Sequence, residues 1–470
     1  MKFIVILIAT LFFGLSTRVY SQEETNTIDV AVKAGDIPKV KDTARIALLK
    51  TKAESCMNNI IRLNFAAAAE FFDPRFKEDF SPDTLKKFWN YFKDEAGSIV
   101  EQTGIKDAAN DTAQGIIITY LCRKGHWDFH VVFTNANQIN GLYVEKTPPP
   151  VIKAYHFPDY VVGDSVRETD IMVGKGEWAV PGHITLPAFP GKYPAVVLVP
   201  GAGPMDRDES LFANKPFKDL AWGLASRGFA VLRFDKRTKF HSKKIVKDRP
   251  VLTTDFEVTQ DVLSAIKVLQ SFREVRRDQI FVLGHGLGGM LAPKIAKLDT
   301  TVAGLIILAG NARPLEDLIV EEVEYVYSLD GIINEDRAKI IKKLKRMVQN
   351  VKSPILSITT PADSLPLQVP AEYWLGLKGY NPTQTALKIN KPILVLQGER
   401  DYEVTMEDFE LWKKTLKPVP LCEFKSYPNL NHIFVTGKGK ARPDEYRIAN
   451  HVEKVVVEDI ARWMKEKIKK

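Results

Sequence analysis

The chain has 470 residues, of which 45% are hydrophobic, so it is long enough for two or three domains with large cores. Its formal net charge is +8, but the basic residues are spread along the chain without a long block, which argues against a nucleic-acid-binding protein. The three cysteines form no Cys-x-x-Cys pair, so neither a zinc ribbon nor a redox motif is indicated.

The N-terminus has the pattern of a secretory signal peptide. Lys2 precedes an apolar run over 3–15, and Val19 and Ser21 are suitable residues before a cleavage site that follows Ser21. The run is short for a membrane span, and no later stretch approaches the length of one. We therefore expect residues 1–21 to be removed and the protein to be exported, periplasmic or extracellular, without a stable membrane anchor. A short N-terminal anchor is the alternative.

Residues 22–147 are predicted to form a small α+β domain. Helical periodicity begins after Asp42, and a second helix begins after Ser81 with proline at its first position. Four strand-like runs follow: residues 97–104, GIIITYLCR, WDFHVVFT and INGLYVEK. Helices followed by an antiparallel sheet are typical of this class. Export would permit a disulfide between Cys56 and Cys122 of this domain, and the sequence leaves that pairing open.

After a proline-rich connector at 148–164, the pattern becomes that of a doubly wound α/β domain over 165–470. Two edge strands come first, and YPAVVLVPG is a near-continuous apolar strand of the kind that is buried in a parallel sheet. Helices and strands then alternate through FAVLRFD, QIFVLG, VAGLIILAG and KPILVLQGERD to a closing helix. Amphipathic helices over about 313–388 interrupt this alternation, and we predict that they form a lid over the carboxyl ends of the strands.

The stretch GHGLGG, residues 284–289, fits two motifs. Gly284, Gly286 and Gly289 match the dinucleotide-binding pattern G-x-G-x-x-G, which also requires an acidic residue at the end of the next strand. That strand, GLIILAG, is followed by Asn311 and offers no such residue. The other motif is the nucleophile elbow of serine hydrolases, G-x-S-x-G, with Gly286 at the position of the serine.

The remaining parts of a serine hydrolase follow in the order nucleophile, acid, histidine. Asp401 is the third residue after the buried strand LVLQG, and His432 lies in a loop 31 positions later. The stretch VLVPGAGP, after an early strand, offers backbone N–H groups at Ala202 and Gly203 for an oxyanion hole.

Other polar and aromatic residues near these motifs have structural interpretations. We expect His285 to pack beside the elbow, without acting as a substitute nucleophile. The acidic and basic residues at 206–209 are expected to form a salt-bridged loop, because no histidine accompanies them to bind a metal ion. Tyr373 and Trp374 could line an acyl pocket, but an aromatic pair in an amphipathic segment more often belongs to a core.

Three motifs in this order resemble those of the secreted α/β-hydrolase carboxylesterases over residues 165–470. The chain reads GAGPMDRDE followed by NKPFKDLA, GHGLGG where the family has GHSLGG, GERDYEV where it has GERDYQV, and LNHIF as the histidine loop. The first domain resembles, more loosely, a nuclear-transport-factor-like α+β domain that precedes such hydrolases. The resemblance implies an α/β-hydrolase fold with Gly286 in place of the nucleophilic serine.

The same resemblance implies roles for the other site residues. Asp401 would orient His432, which would act as the general base and then as the general acid. The N–H of Leu287, together with that of Ala202 or Gly203, would form the oxyanion hole. No cofactor and no metal ion are implied.

Two functions from different classes follow from these motifs. One is a carboxylic-ester hydrolase that is inactive or severely impaired, because glycine has no hydroxyl with which to attack a carbonyl. The other is a non-catalytic binding protein that has kept the pocket, and a serine-peptidase-like activity is a third alternative. The expected partner is a small-molecule ester or an acyl ligand. The acyl chain, the leaving group and the oligomeric state are left open.

Overall fold

The computed structural model describes residues 43–109, 114–147, 155–161, 163–248, 250–329 and 335–468. These residues divide into two compact units, one over 43–147 and one over 155–468. The predicted signal peptide at 1–21 lies outside the described residues. Of the helices that are described, none is both long and apolar enough to cross a membrane.

The first unit consists of helices and an antiparallel sheet. The helices are α1 (Thr43–Ile61), α2 (Phe65–Ala69), α3 (Pro74–Asp79) and α4 (Pro82–Ala96). The strands are β1 (Ile99–Ala109), β2 (Gln114–Cys122), β3 (Gly125–Phe133) and β4 (Ile139–Thr147), which pair in chain order, each antiparallel to the next. The predicted α+β class of this domain is therefore confirmed.

Alternate residues of β2 and β3 face the helices and form the core of this unit. Within it the rings of Phe92 and Phe129 meet edge to face, with their centroids 4.8 Å apart. Cys56 and Cys122 are both buried, and both are free. The disulfide that the sequence left open is therefore not formed, and this core is held by apolar and aromatic packing.

The second unit is built on an eight-stranded sheet. Its strands are β5 (Val166–Val173), β6 (Val180–Pro187), β7 (Tyr193–Val199), β8 (Ala230–Phe234), β9 (Val275–His285), β10 (Gly304–Leu308), β11 (Ile393–Gly398) and β12 (Cys422–Tyr427). Their spatial order is β12-β11-β10-β9-β7-β8-β6-β5. Strand β6 runs antiparallel to β5 and β8, and the other neighbours are parallel. This confirms the predicted doubly wound, mostly parallel sheet.

Helices cover both faces of this sheet. They are α5 (Pro216–Ala225), α6 (Arg237–Phe240), α7 (Ser242–Asp248), α8 (Gln260–Ser271), α9 (Leu287–Leu298), α10 (Leu315–Ser328), α11 (Glu335–Lys352), α12 (Ala371–Leu377), α13 (Pro382–Ala386), α14 (Met406–Leu416) and α15 (Lys454–Ile468). Along β7, Val197 and Val199 belong to one core, whereas Val196 and Leu198 belong to the other. Because both faces are buried, polar groups that act on a ligand are confined to the strand ends.

Residues 155–161, which the sequence assigns to the connector, are part of the second unit. The hydroxyl of Tyr155 donates to Asp219 at 2.6 Å, and that of Tyr160 donates to the carbonyl of Val452 at 2.8 Å. The polar ends of these two tyrosines therefore attach this segment to α5 and to the residues before α15.

Candidate active site

The turn between β9 and α9 has the sharp geometry of a nucleophile elbow. Gly286 has φ 48° and ψ −115°, a region that side-chain-bearing residues adopt only under strain. A Cβ on Gly284 would lie 2.2 Å from the carbonyl oxygen of Gly288, and a Cβ on Gly288 would lie 2.2 Å from that of Val199. Positions 284 and 288 therefore require glycine for lack of space. The backbone conformation at 286 favours glycine, but there the surroundings leave room for a side chain.

His432 and Asp401 lie beside this turn. His432 Nδ1 is 2.7 Å from Asp401 Oδ2, and Asp401 Oδ1 accepts hydrogen bonds from the backbone N–H groups of Glu403 and Val404 at 2.8 and 2.9 Å. A Cβ on Gly286 would lie 3.5 Å from His432 Nε2. The structure thus brings the three sequence-predicted positions together, in the relative placement of a nucleophile–histidine–acid triad without the hydroxyl.

A buried ion pair and a buried glutamate hold the loop that follows β7. The N–H of Gly201 donates to Glu209 Oε1 at 2.6 Å, and the carbonyl of Gly201 accepts from Lys236 Nζ at 2.9 Å. Lys236 Nζ also lies 2.8 Å from Glu257 Oε1, and both of these side chains are fully buried. Since a charge left unpaired at this depth is strongly destabilising, the loop conformation is tightly fixed.

The fixed loop presents a backbone N–H close to the elbow. Ala202 and Leu287 both line the cavity at Gly286. Within the described part of the chain, neither of their N–H groups has a hydrogen-bond acceptor. Gly203 is not among the lining residues, and its φ of 88° shows that it forms the turn of the loop. Ala202 is therefore the better placed donor of the two. Two free donors beside the elbow could donate hydrogen bonds to a developing oxyanion.

The cavity has a volume of about 90 Å³ and one apolar wall. Leu315, Leu318 and Ile319 of α10 form that wall, opposite the elbow. Of the helices described within the predicted lid, α10 is the one that contributes to this cavity; α11 packs on α10, and α13 packs against α9. The predicted lid thus reaches the site through its first helix.

Two carboxylates set the charge of His432. Burial lowers the pKa of the imidazole, but Asp401 on Nδ1 and Glu403, whose Oε2 lies 3.8 Å from Nε2, together raise the pKa to about 10. The neighbouring carboxylates thus favour the imidazolium form of the ring, which has no free lone pair with which to take a proton. Glu403 was not predicted from the sequence, although it stands only two positions after Asp401 in the same loop.

Glu322 of α10 is a second carboxyl group that sequence reasoning missed. It lines the same cavity and is only 8% exposed. Burial raises the pKa of this carboxyl well above its ordinary value, and the charges of Glu403 and Asp401 raise it further. The signal for its position was the apolar stripe of α10, because residue 322 follows Leu318 by one helical turn and shares its face.

The other polar residues near the motifs lie much as expected. His285 packs beside the elbow, with Nε2 3.0 Å from the carbonyl oxygen of His432. Arg207 pairs with Asp235 at 2.9 Å, and Asp208 pairs with Arg233 at the same distance, so the 206–209 loop is salt-bridged as predicted.

The aromatic pair of the lid segment lies in the core. The hydroxyl of Tyr373 donates to Glu257 at 2.9 Å, and neither Tyr373 nor Trp374 lines the cavity at Gly286. The interpretation of these two residues as an acyl pocket is therefore wrong, because Tyr373 completes the hydrogen bonding of the buried Lys236–Glu257 pair.

In the first unit, three side chains outside the predicted site lie within metal-binding distance of one another. One possible ligand atom from each of Asp128, His130 and Glu145 lies within 4.8 Å of the other two. Among the described residues, no other such group is found. His130 Nε2 is 2.8 Å from Glu145, and Asp128 accepts a hydrogen bond from Thr119. These atoms thus already have hydrogen-bond partners within the first unit.

Comparison with known proteins gives matches for both units. Residues 53–142 match a protein domain of unknown function, DUF3887, and residues 369–466 match the dienelactone hydrolase family. Esterase EstD of Thermotoga maritima is 35% identical over 402 residues, which cover 85% of this chain and 92% of that protein. The uncharacterized peptidase YtmA of Bacillus subtilis is 23% identical over 294 residues, 61% of this chain and 89% of that protein. Among solved structures, Est1E from Butyrivibrio proteoclasticus is 16% identical, with 64% of this chain and 99% of that chain covered and a TM-score of 0.41.

The match to EstD is too long to be confined to the second unit, since 402 residues exceed the length of that unit. It therefore includes part of the first unit as well as the sheet and the elbow. The resemblance inferred from the three motifs is confirmed: this chain belongs to the family of α/β-hydrolase esterases that includes EstD of Thermotoga maritima.

Proposed function

We propose that this protein binds small carboxylic esters in the cavity at Gly286 and, as its sequence stands, hydrolyses them very slowly or not at all. The observation that carries the proposal is the arrangement around residue 286. His432, its acid partner and two free N–H donors surround a position that has room for a side chain but holds none. Membership of an esterase family supports the class of ligand.

A serine at position 286 would complete an acyl-transfer mechanism. Its Oγ would lie within reach of His432 Nε2, which in the neutral form would take the hydroxyl proton as Oγ attacks the ester carbonyl. The N–H groups of Leu287 and Ala202 would bind the oxyanion of the tetrahedral intermediate. His432 would then protonate the leaving alcohol, and water would release the acyl group in a second, equivalent step.

Glycine removes the covalent step. An enzyme of this type that lacks its nucleophile retains on the order of 10³–10⁴-fold acceleration over water through positioning and the oxyanion hole. Direct attack by water would need neutral His432 as a base, yet the raised pKa of the ring favours its protonated form. The missing nucleophile and the raised pKa of His432 both lower turnover. The raised pKa also slows direct hydrolysis by water, which does not need a serine.

The cavity favours short acyl groups. Its volume is about 90 Å³, and its apolar wall is formed by three aliphatic side chains of α10. A methyl or ethyl group fits within this volume and can pack against the wall. The proposed ligands are therefore esters of short carboxylic acids.

Restoring the hydroxyl tests the proposal. The parent protein should show no turnover of 4-nitrophenyl acetate above the rate of the His432→Ala variant, whereas Gly286→Ser should show an acyl-enzyme burst and steady turnover. Gly286→Ala is the matched control, because it adds the same Cβ and the same backbone strain, about 1–3 kcal/mol, without a hydroxyl. All variants are first compared by circular dichroism to establish that they are folded.

Two outcomes would contradict the proposal. If the parent is already fast and His432→Ala leaves it fast, the site assignment is wrong. If folded Gly286→Ser remains as inactive as Gly286→Ala for every acyl length and up to alkaline pH, the hydrolase interpretation fails. The non-catalytic binding protein would then be the better description, and the Glu403 carboxylate beside His432 is the observation that favours it.

A further inference from the structure

The cavity at Gly286 has an excess of carboxyl groups. The titratable side chains among its lining residues are Glu209, Glu322, Glu403, His285, His432 and Tyr446, and no lysine or arginine of the described chain is among them. Glu209 already has partners, because it accepts from the Gly201 N–H at 2.6 Å and lies 3.0 Å from His285 Nδ1. The other two glutamates are therefore the groups available to a ligand.

Glu322 is the less satisfied of the two. Its side chain is more than nine-tenths buried, it lines the cavity, and within the described residues it has no hydrogen-bond or ion-pair partner. Buried polar groups in native proteins are almost always hydrogen-bonded, so a buried carboxyl without a partner at a ligand cavity indicates that the ligand supplies the partner.

Glu403 adds negative charge to the same side of the cavity. Its Oε1 accepts a hydrogen bond from the hydroxyl of Tyr446, and its Oε2 lies 3.8 Å from His432 Nε2. His432 is closer to Asp401, at 2.7 Å, so its positive charge is already balanced there. A positive group on a ligand would thus find two carboxyl groups and one aromatic ring, that of Tyr446, in the lining of the cavity.

We infer that the cavity recognises esters that carry an ammonium group, which Glu322 and Glu403 bind. This inference rests on the proposed function, since it names the substrate class of the same site. A small metal ion fits less well, because the ligand atoms of Glu322, Glu403 and His432 do not all lie within 4.8 Å of one another. An ammonium group is larger than a metal ion and can contact more widely spaced carboxylates. Its positive charge would also favour the ionised form of Glu322, whose pKa is otherwise raised by burial.

Binding to the parent protein tests the inference without any need for turnover. Acetylcholine and 3,3-dimethylbutyl acetate have nearly the same shape and differ in charge, so their dissociation constants are compared by calorimetry. We expect acetylcholine to bind at least about tenfold more tightly, a ratio that falls as salt screens the charges. Glu322→Gln should lower the ratio, although the Glu403 carboxylate remains in the cavity. Glu324→Gln is the matched control on the same helix, because Glu324 is paired with Lys345 outside the cavity, and it should leave the ratio unchanged.

Equal binding of the two esters, no detectable binding of acetylcholine at millimolar concentration, or a ratio that Glu322→Gln does not change would each overturn the inference. Displacement of acetylcholine by millimolar magnesium or zinc chloride with competitive kinetics would assign the carboxyl groups to a metal ion instead.

A kinetic arm separates this inference from the proposed function. If Gly286→Ser hydrolyses 4-nitrophenyl acetate but the parent binds both matched esters equally, the hydrolase proposal stands and the charge preference fails. If the parent prefers acetylcholine but Gly286→Ser turns over no ester, the charge preference stands and the hydrolase proposal fails.

Discussion

Position 286 keeps the backbone of an elbow with φ 48°, while the side chain that this backbone would aim at His432 is missing. The neighbouring Glu403 has a second effect on the same histidine. Its carboxylate faces Nε2, the atom that would have to be unprotonated in a general base. In the proposed function, the absence of a hydroxyl at position 286 and the carboxylate beside Nε2 are therefore two separate obstacles to hydrolysis, and each can be removed by one substitution.

Removing the charge of Glu403 should shift the pH dependence of the restored enzyme. In Gly286→Ser, kcat/KM should rise with pH as His432 loses its proton, with a midpoint far on the alkaline side because the pKa of His432 is raised to about 10. Gly286→Ser/Glu403→Gln removes one of the three carboxylate charges that raise this pKa, so the midpoint should move to lower pH and activity near neutral pH should increase.

The control for this pH profile is Gly286→Ser/Glu410→Gln. Glu410 lies on the exposed surface of α14 and pairs there with Lys413. Its substitution should leave the midpoint where it is in Gly286→Ser. A profile that Glu403→Gln does not move would show that Glu403 does not control the protonation of His432.

The order of the motifs along the chain was enough to predict that Gly286, Asp401 and His432 lie together, because the fold brings the carboxyl ends of parallel strands to one edge of the sheet. It was insufficient for Lys236 and Glu322. Lys236 follows the end of β8, and the residues around it in the sequence do not show whether its side chain binds Gly201 or is solvated. Likewise, an acid within an apolar helical stripe is visible in the sequence, but most of the residues that line the cavity it faces lie more than thirty positions away.

Among the elements, α10 is attached firmly at its N-terminal end. Arg313, just before the helix, donates to Asp408 at 2.7 Å and pairs with Glu321 and Glu407 at 2.8 and 2.7 Å. Asp408 is fully buried and also accepts from the N–H of Ala312 at 2.8 Å. One arginine thus ties the start of the cavity wall to α14.

Arg313→Ala should destabilise the protein and loosen this wall. It leaves the buried Asp408 with backbone partners but without its charged partner, so the free energy of unfolding should fall by about 1–3 kcal/mol. Urea denaturation measures this change. Lys352→Ala, which breaks the exposed pair with Asp317, is the control and should change stability by roughly 1 kcal/mol or less. Equal effects of the two substitutions would contradict the assigned role of Arg313.

The strands were predicted better than the helices of the insertion. Continuous apolar runs such as that of β7 identify a buried parallel strand, and the four strands of the first unit alternate clearly. The short α2 and α3 went unpredicted, since five or six residues carry too little periodicity. The insertion at 313–388 was predicted as one lid, yet Tyr380 of the α12–α13 turn donates to the Met290 carbonyl of α9 at 2.8 Å. An amphipathic stripe shows that a face is buried but not which neighbour buries it.

At the scale of the whole molecule, a buried charge network makes the free energy of unfolding depend on pH in the acidic range. Arg233 is fully buried and donates to Glu168 at 2.7 Å and to Asp208 at 2.9 Å. Burial raises the pKa of both carboxyls, but hydrogen bonds and the charge of Arg233 outweigh it, so each folded-state pKa lies below its ordinary value of 4.5 or 3.8. The network thus contributes stability that is complete above the unfolded-state values.

This contribution should be lost as the pH falls through and below those unfolded-state values. The free energy of unfolding, measured in urea from neutral pH to about pH 3, should decrease below about pH 4.5. Glu168→Gln should be less stable at neutral pH and should show a shallower decrease, because one of the two carboxylates no longer takes up a proton on unfolding. A variant with the same acid slope as the parent would show that other groups dominate the acid dependence.

The close approach of the Gly288 and Val199 backbones has a consequence for how such a site can evolve. Val199 ends β7 just before the oxyanion loop, and Gly288 follows Leu287 at the start of α9, so backbone touches backbone where the two N–H donors are set. The spacing of the donors therefore does not depend on any side chain of α10, which carries the apolar wall and Glu322. Substitutions in α10 can therefore alter which ligand is admitted while the two N–H donors stay aligned, so ligand preference and the oxyanion site can evolve separately.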